Sequence, residues 1–248
     1  MPVSNSLVLD HFYITLPEVK FLKFKFIVDV LSGSHQAVKT NDDFWEGIYF
    51  FSRFRDNFEV LKGSPDGGLG IAFSPQNLVA VDVKKIMEEQ PNLSWQHGLR
   101  SRTDNSPWFG WYSLADYRDD ANPCNIWIMD YYKYHLDYKN QLLPKPIDSF
   151  DLLELVSGPE MKKMIEDRLQ FKDCQVSYSG NDMTFVIQRR DALDFKIVVH
   201  FKEGQKNFSP VKLICNLHDK YPHDLSALDG VEWLIKTDNK LIFDFTKL

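Results

Sequence analysis

The sequence predicts an α+β protein built mainly of antiparallel sheet, with a few short helices and a C-terminal helix followed by a β-meander and hairpin. Three runs carry this reading. In residues 195–201, Phe195, Ile197, Val199 and Phe201 share one parity, while Lys196 and His200 hold the other. Val211, Leu213, Cys215 and Leu217 repeat the pattern against Lys212 and Asn216, and Met183, Phe185 and Ile187 show it one segment earlier. Successive strand side chains point to opposite faces, so each run describes a strand with one face buried.

From the N-terminus, residues 7–16 and 19–31 read as two strands meeting at Pro17. In the second, Leu22, Phe24, Phe26, Val28 and Val30 alternate with Lys23, Lys25 and Asp29. Residues 44–54 are dense in aromatic rings and read as a strand. The run from Lys62 to Gly68, with Pro65, Asp66 and Gly67, signals a hairpin or short loop. Residues 69–73 and 78–81 follow as strands. Asp82 then caps a short helix over 83–90 that Pro91 ends. Residues 92–107 look irregular.

Leu143, Pro144, Lys145 and Pro146 form the candidate linker, because two prolines in three residues favour extended backbone. It suggests a β-rich domain over 1–143 and a smaller α+β domain over 147–248, with one continuous domain as the rival. Residues 147–156 look like a short helix. Pro159 opens a further helix whose apolar face is Met161, Met164, Ile165 and Leu169. Residues 231–235 and 241–245 read as a closing hairpin. No internal repeat is visible. In the last third, a helix, a strand meander and Tyr221-Pro222 resemble the layout of RWD-type domains, relatives of ubiquitin-conjugating folds. The second proline and the long final helix of that layout are absent, and no function is carried over.

Composition bounds the function. The 248 residues are 44 % hydrophobic and 26 % charged, as in ordinary globular proteins, and the net charge of −6 disfavours a general nucleic-acid binder. No signal peptide or membrane span is legible. The odd set Cys124, Cys174 and Cys215, without a CxxC pair, suggests reduced thiols in the cytoplasm or nucleus. There is no GxSxG elbow and no phosphate-binding glycine loop, since Gly67, Gly68 and Gly70 only make a turn. His218, Asp219, His223 and Asp224 read as a solvated strand end rather than a metal site. The other histidines, His11 among them, read as surface or satisfied core positions. Neither a cofactor nor a metal is expected.

The most unusual stretch is 108–138, rich in aromatics and aspartates. Trp108, Trp111, Tyr112, Asp116, Trp127, Asp130 and Tyr132 are the candidate binding residues, because rings with polar tips beside carboxylates anchor protein partners and stack on sugars. Rings filling a core beneath a sheet are the competing reading. The expectation is therefore a non-catalytic binding or scaffold protein acting on a protein partner. The alternative is a hydrolase with an aromatic-lined cleft and acid–base aspartates.

Overall fold

The computed structural model describes residues 7–39, 44–54, 56–63, 67–76, 83–88, 95–101, 107–114, 124–131, 145–168, 174–189, 193–219 and 225–248. It is mostly strand with few short helices, which fits the α+β class. No helix among these residues is long and apolar enough to cross a membrane.

The chain builds one unit repeatedly: a strand, a helix, then three strands. The first unit is β1 (Leu7–Leu16), α1 (Glu18–Lys25), β2 (Ser34–Lys39), β3 (Phe44–Phe51) and β4 (Asn57–Lys62). The second is β5 (Leu69–Pro75), α2 (Val83–Glu88), β6 (Trp95–Ser101), β7 (Pro107–Leu114) and β8 (Cys124–Tyr131). Together they form an eight-stranded sheet, ordered β2-β3-β4-β1-β5-β8-β7-β6. The third unit is β9 (Ile147–Ser157), α3 (Met161–Arg168), β10 (Cys174–Ser179), β11 (Asp182–Gln188) and β12 (Asp194–Phe201). Among the described residues, the fourth is shorter: β13 (Ser209–Leu217), a 3-10 turn at Ser226–Leu228, β14 (Leu234–Lys236) and β15 (Lys240–Asp244). These make a seven-stranded sheet, ordered β10-β11-β12-β9-β13-β15-β14. Both sheets are mixed, because the first and last strands of three units pair in parallel: β1 with β4, β5 with β8, and β9 with β12. The repeat is one of structure, invisible in the residues, and it replaces the RWD-like layout.

Several element readings are corrected. Residues 18–25 form a helix rather than a strand. The Phe/Lys alternation there is incidental, and the spacing that matters puts Phe21, Phe24, Ile27, Val28 and Leu31 into the core while Leu22 and Phe26 stay exposed. The lysines of that segment therefore sit on a helix, where Lys23 donates to the Leu248 carbonyl at 2.8 Å and Lys25 to Glu46 at 3.0 Å. Residues 147–157 form a strand rather than a helix; β9 is central, paired on both sides by β12 and β13. Residues 95–101 are strand rather than irregular coil, and the glycine-rich turn after β4 joins strands that are not neighbours, since β1 lies between β4 and β5. The 78–81 reading and the Asp82 cap fall outside the described residues.

The two sheets stack through a phenylalanine-rich core. Phe12 of β1 stacks on Phe58 (ring centroids 5.2 Å) and reaches across to Phe195 at 4.7 Å and Phe150 at 5.3 Å in the second sheet. From α1, Phe24 meets Trp233 at 4.8 Å. The inner face of the first sheet is thus committed to packing. Its outer face carries the polar residues.

At one edge, Glu46 accepts from Lys25 and His35 with Lys62 nearby, and these contacts hold its carboxyl down to about 2 from an ordinary 4.5. A lowered carboxylate pKa stabilises the fold above 4.5, and that contribution disappears as pH falls from 4.5 to 2. Glu46→Gln is expected to flatten the acid limb of a pH–stability curve in that window. An unchanged slope would show that the network adds nothing.

Candidate active site

Strand β1 runs LVLDHFYITL, and its alternation breaks at Asp10-His11. There the pairing with β5 shifts register between Leu9 and His11, a bulge that lets adjacent polar residues turn away from the core. Asp10 is fully buried. It accepts hydrogen bonds from His11 Nδ1 at 2.7 Å, from the Ser74 hydroxyl at 2.8 Å and from the Tyr131 hydroxyl at 2.5 Å. With Nδ1 turned to Asp10, the His11 ring leaves Nε2 facing away from that carboxylate. This Nε2 lies 3.8 Å from Glu59 Oε1, beyond hydrogen-bonding distance.

Register assembles the surroundings in two rows across the outer face. The first row is Asn57, His11, Ala72, Trp127 and Ser113, on β4, β1, β5, β8 and β7. The second is Tyr49, Glu59, Tyr13, Gly70 and Asn125. Within them Asn57 Nδ2 donates to Glu59 Oε1 at 2.7 Å, Trp45 Nε1 donates to the Tyr49 hydroxyl at 2.8 Å, and Asn125 Nδ2 donates to the Tyr13 hydroxyl. The Trp127 ring packs on both His11 (5.2 Å, edge-on) and Tyr13 (5.7 Å). Burial pushes the Tyr13 phenol up to about 12, against the Asn125 hydrogen bond, and pushes that of Tyr49 up as well. Both remain protonated at neutral pH.

Gly70 makes this arrangement possible. A Cβ there would sit 2.1 Å from Tyr13 Cε1, so the phenol lies across the bare backbone towards Asn125. Gly70→Ala is expected to lift Tyr13 off Asn125 and destabilise the fold by about 1–3 kcal/mol, read by urea unfolding. Unchanged stability and an unchanged Tyr13 environment would contradict it.

The predicted residues are divided among different places. Trp111 lies opposite Met129, on the Trp127 side of the sheet, with the Arg100 guanidinium 5.0 Å from its ring. Tyr112 packs against the core beneath the His97 ring at 4.7 Å, and Asp130 is 3.9 Å from His97 on that opposite side. Trp108 belongs to β7, although its side chain is outside the described residues, as are Asp116 and Tyr132 altogether. His218 and Asp219 are described, His223 and Asp224 are not, and no three His, Cys, Asp or Glu side chains among the described residues are grouped to hold a metal. Trp127 is the one whose ring lies against His11 of the Asp10–His11 pair. Composition drew attention to 108–138, whereas the signal for the pair was two adjacent polar residues inside an otherwise apolar strand.

No family model and no curated protein matches the chain. Among solved structures, a hypothetical protein from Staphylococcus aureus aligns with TM-score 0.52 at 9 % identity, over 81 % of this chain and 88 % of its own, and shares the fold. An extradiol ring-cleaving dioxygenase from Brevibacterium fuscum aligns at TM-score 0.41 and 16 % identity, over 81 % of this chain and 55 % of its own. A 4-hydroxymandelate synthase variant from Streptomyces coelicolor aligns at 0.38 and 13 %, over 80 % and 63 %. The chain thus spans little more than half of that dioxygenase. The expectation of a non-catalytic scaffold, with an aspartate hydrolase as its alternative, is corrected here. Two of the structures it aligns with carry enzyme names, a dioxygenase and a synthase, and none named above is a scaffold. Of the described rings of that segment, Trp111 and Trp127 share one face of the sheet and Tyr112 takes the other.

Proposed function

We propose that this is a small-molecule enzyme of the vicinal-oxygen-chelate type of fold, with its site on the outer face of the first sheet and His11 as the proton-transferring group. The observation that carries this reading is the buried Asp10 carboxylate holding His11 Nδ1 at 2.7 Å, which leaves Nε2 as a base beside Trp127 and Tyr13. A histidine oriented by a carboxylate is equipped for general acid–base catalysis, which contributes about 10²–10⁴-fold when the ring meets the reacting group.

A bound cation, which the name of the fold type implies, does not fit the donors of this face. An open catalytic metal site takes about three protein ligands. His11 and Glu59 supply two. Asp10 is engaged by three donors behind the imidazole, and across the sheet Gly70, Ala72, Asn125 and Trp127 offer no imidazole or carboxylate. No step is therefore assigned to a metal.

The reading is tested by screening small carbonyl, phenol and amide compounds by ligand-observed NMR and following the hits for turnover. Hits are expected to lose binding in Trp127→Ala and turnover in His11→Gln. Hits indifferent to both substitutions would place the site elsewhere.

A further inference from the structure

Resting on the acid–base reading of His11, we infer that Tyr13 is the second catalytic group and that the substrate is an uncharged, enolisable carbonyl compound, rearranged without a metal. The two residues occupy successive outward positions of β1, about 7 Å apart along the strand, and both rings lie against Trp127. They are chemical opposites. His11 presents a lone pair at Nε2, since Nδ1 is bound to Asp10. Tyr13 presents a proton, because its oxygen already accepts from Asn125 Nδ2 and its own hydrogen has no acceptor among the described residues. A phenol pushed up to about 12 stays protonated over the whole working range, so this donor is constant.

A molecule lying between them must give up a proton at one end and accept a hydrogen bond at the other. A carbonyl with a hydrogen on the adjacent carbon meets both demands. His11 Nε2 takes the carbon-bound proton and the C–H electron pair forms the C=C bond. The carbonyl π pair moves onto oxygen, which takes the Tyr13 proton and becomes an enol. The imidazolium, stabilised by the buried Asp10 carboxylate, returns its proton to carbon as the enol hydroxyl returns its own to Tyr13. Nothing is oxidised or reduced, and no co-reactant is consumed. The two rows contain Glu59 and no lysine or arginine, so their charge repels a substrate carboxylate and favours a neutral compound. Hydrogen-bond donors aimed at a developing oxyanion are where catalytic stabilisation concentrates, and here Tyr13 fills that place.

The test is proton exchange, which needs no knowledge of the product. The full chain, treated with EDTA, is incubated in D2O with hydroxyacetone, dihydroxyacetone and glyceraldehyde, with pyruvate as the charged comparison. Loss of the carbon-bound proton signals is followed by NMR. Exchange of the neutral compounds should exceed that of pyruvate, fall by at least 100-fold in His11→Gln, and fall by about 10–100-fold in Tyr13→Phe, with binding in the latter changed less than threefold. Rates in Tyr13→Phe equal to wild type would overturn the role of Tyr13. Exchange abolished by EDTA would overturn metal independence. If these compounds bind in a Trp127-dependent way without exchange, the substrate class is wrong while the site stands. If carbonyl compounds bind nowhere on this face, both the inference and the reading beneath it fall. Circular dichroism and a melting curve on Tyr13→Phe separate lost catalysis from lost folding.

Discussion

Asp10→Asn is expected to leave the protein folded and to lower turnover by roughly 10²–10⁴-fold. Asparagine keeps the shape of aspartate but brings an NH2 group into a pocket where His11, Ser74 and Tyr131 all donate. The imidazole is then free to take the other tautomer, with its proton on Nε2 and no base facing the substrate. The imidazolium formed during the reaction would also lose its buried counter-charge. Asp10→Ala goes further and leaves those donors without their common acceptor. Donors left behind by a buried charge are costly, so that variant should lose about 3–5 kcal/mol in urea unfolding. The contrast between the two substitutions separates the catalytic role of the carboxylate from its structural one. Wild-type turnover in Asp10→Asn would remove the orienting carboxylate from the account.

The largest effect on stability is expected at Phe12, one residue beyond the pair and facing the other way. Its ring is fully buried and meets Phe58, Phe150 and Phe195 within 5.3 Å, which joins the two sheets. Phe12→Ala should cost about 3–5 kcal/mol, through lost burial and a cavity between sheets that cannot collapse. Because Phe12 also fixes the strand carrying His11 and Tyr13, activity should decline with it. Equilibrium unfolding measures the first effect, and a loss below about 1 kcal/mol would mean that the sheets are held together elsewhere.

Strands with one buried face were legible in the sequence. The alternation in β11, β12 and β13 marks them directly, because solvent on one side keeps a polar parity. The middle strand of the second sheet was harder. β9 is paired on both edges, and its run DLLELV sets Leu152, Leu153, Leu155 and Val156 around Glu154 without strict alternation, which suits a helix as well as a strand. In α1, lysines alternating with phenylalanines imitated a strand, although the buried positions were Phe21 and Phe24, three apart. The repeated units left no trace in residue identity, since the fold asks only for apolar faces of the right period.

The candidate site was illegible for a different reason. His11, Glu59, Gly70, Asn125 and Trp127 are separated by as many as 116 positions and are brought together only by the β4-β1-β5-β8 order. Aromatic density drew attention to 108–138, but density says nothing about which sheet face a ring takes. Trp127 and Asp130, three apart on one strand, end on opposite faces. A better cue was available in the interruption of LVLDHFYITL by Asp10-His11, since two polar residues inside a buried strand need partners there.

The central claim is that His11 works as a base from the outer face of the first sheet. Long-range 1H–15N NMR of the imidazoles, with His11→Gln to assign the signals, reads this directly. The account predicts a neutral His11 with its proton on Nδ1 and an unprotonated Nε2 whose signal moves when a ligand that turns over is added. A proton resting on Nε2, or a ring that does not respond to any such ligand, would contradict it.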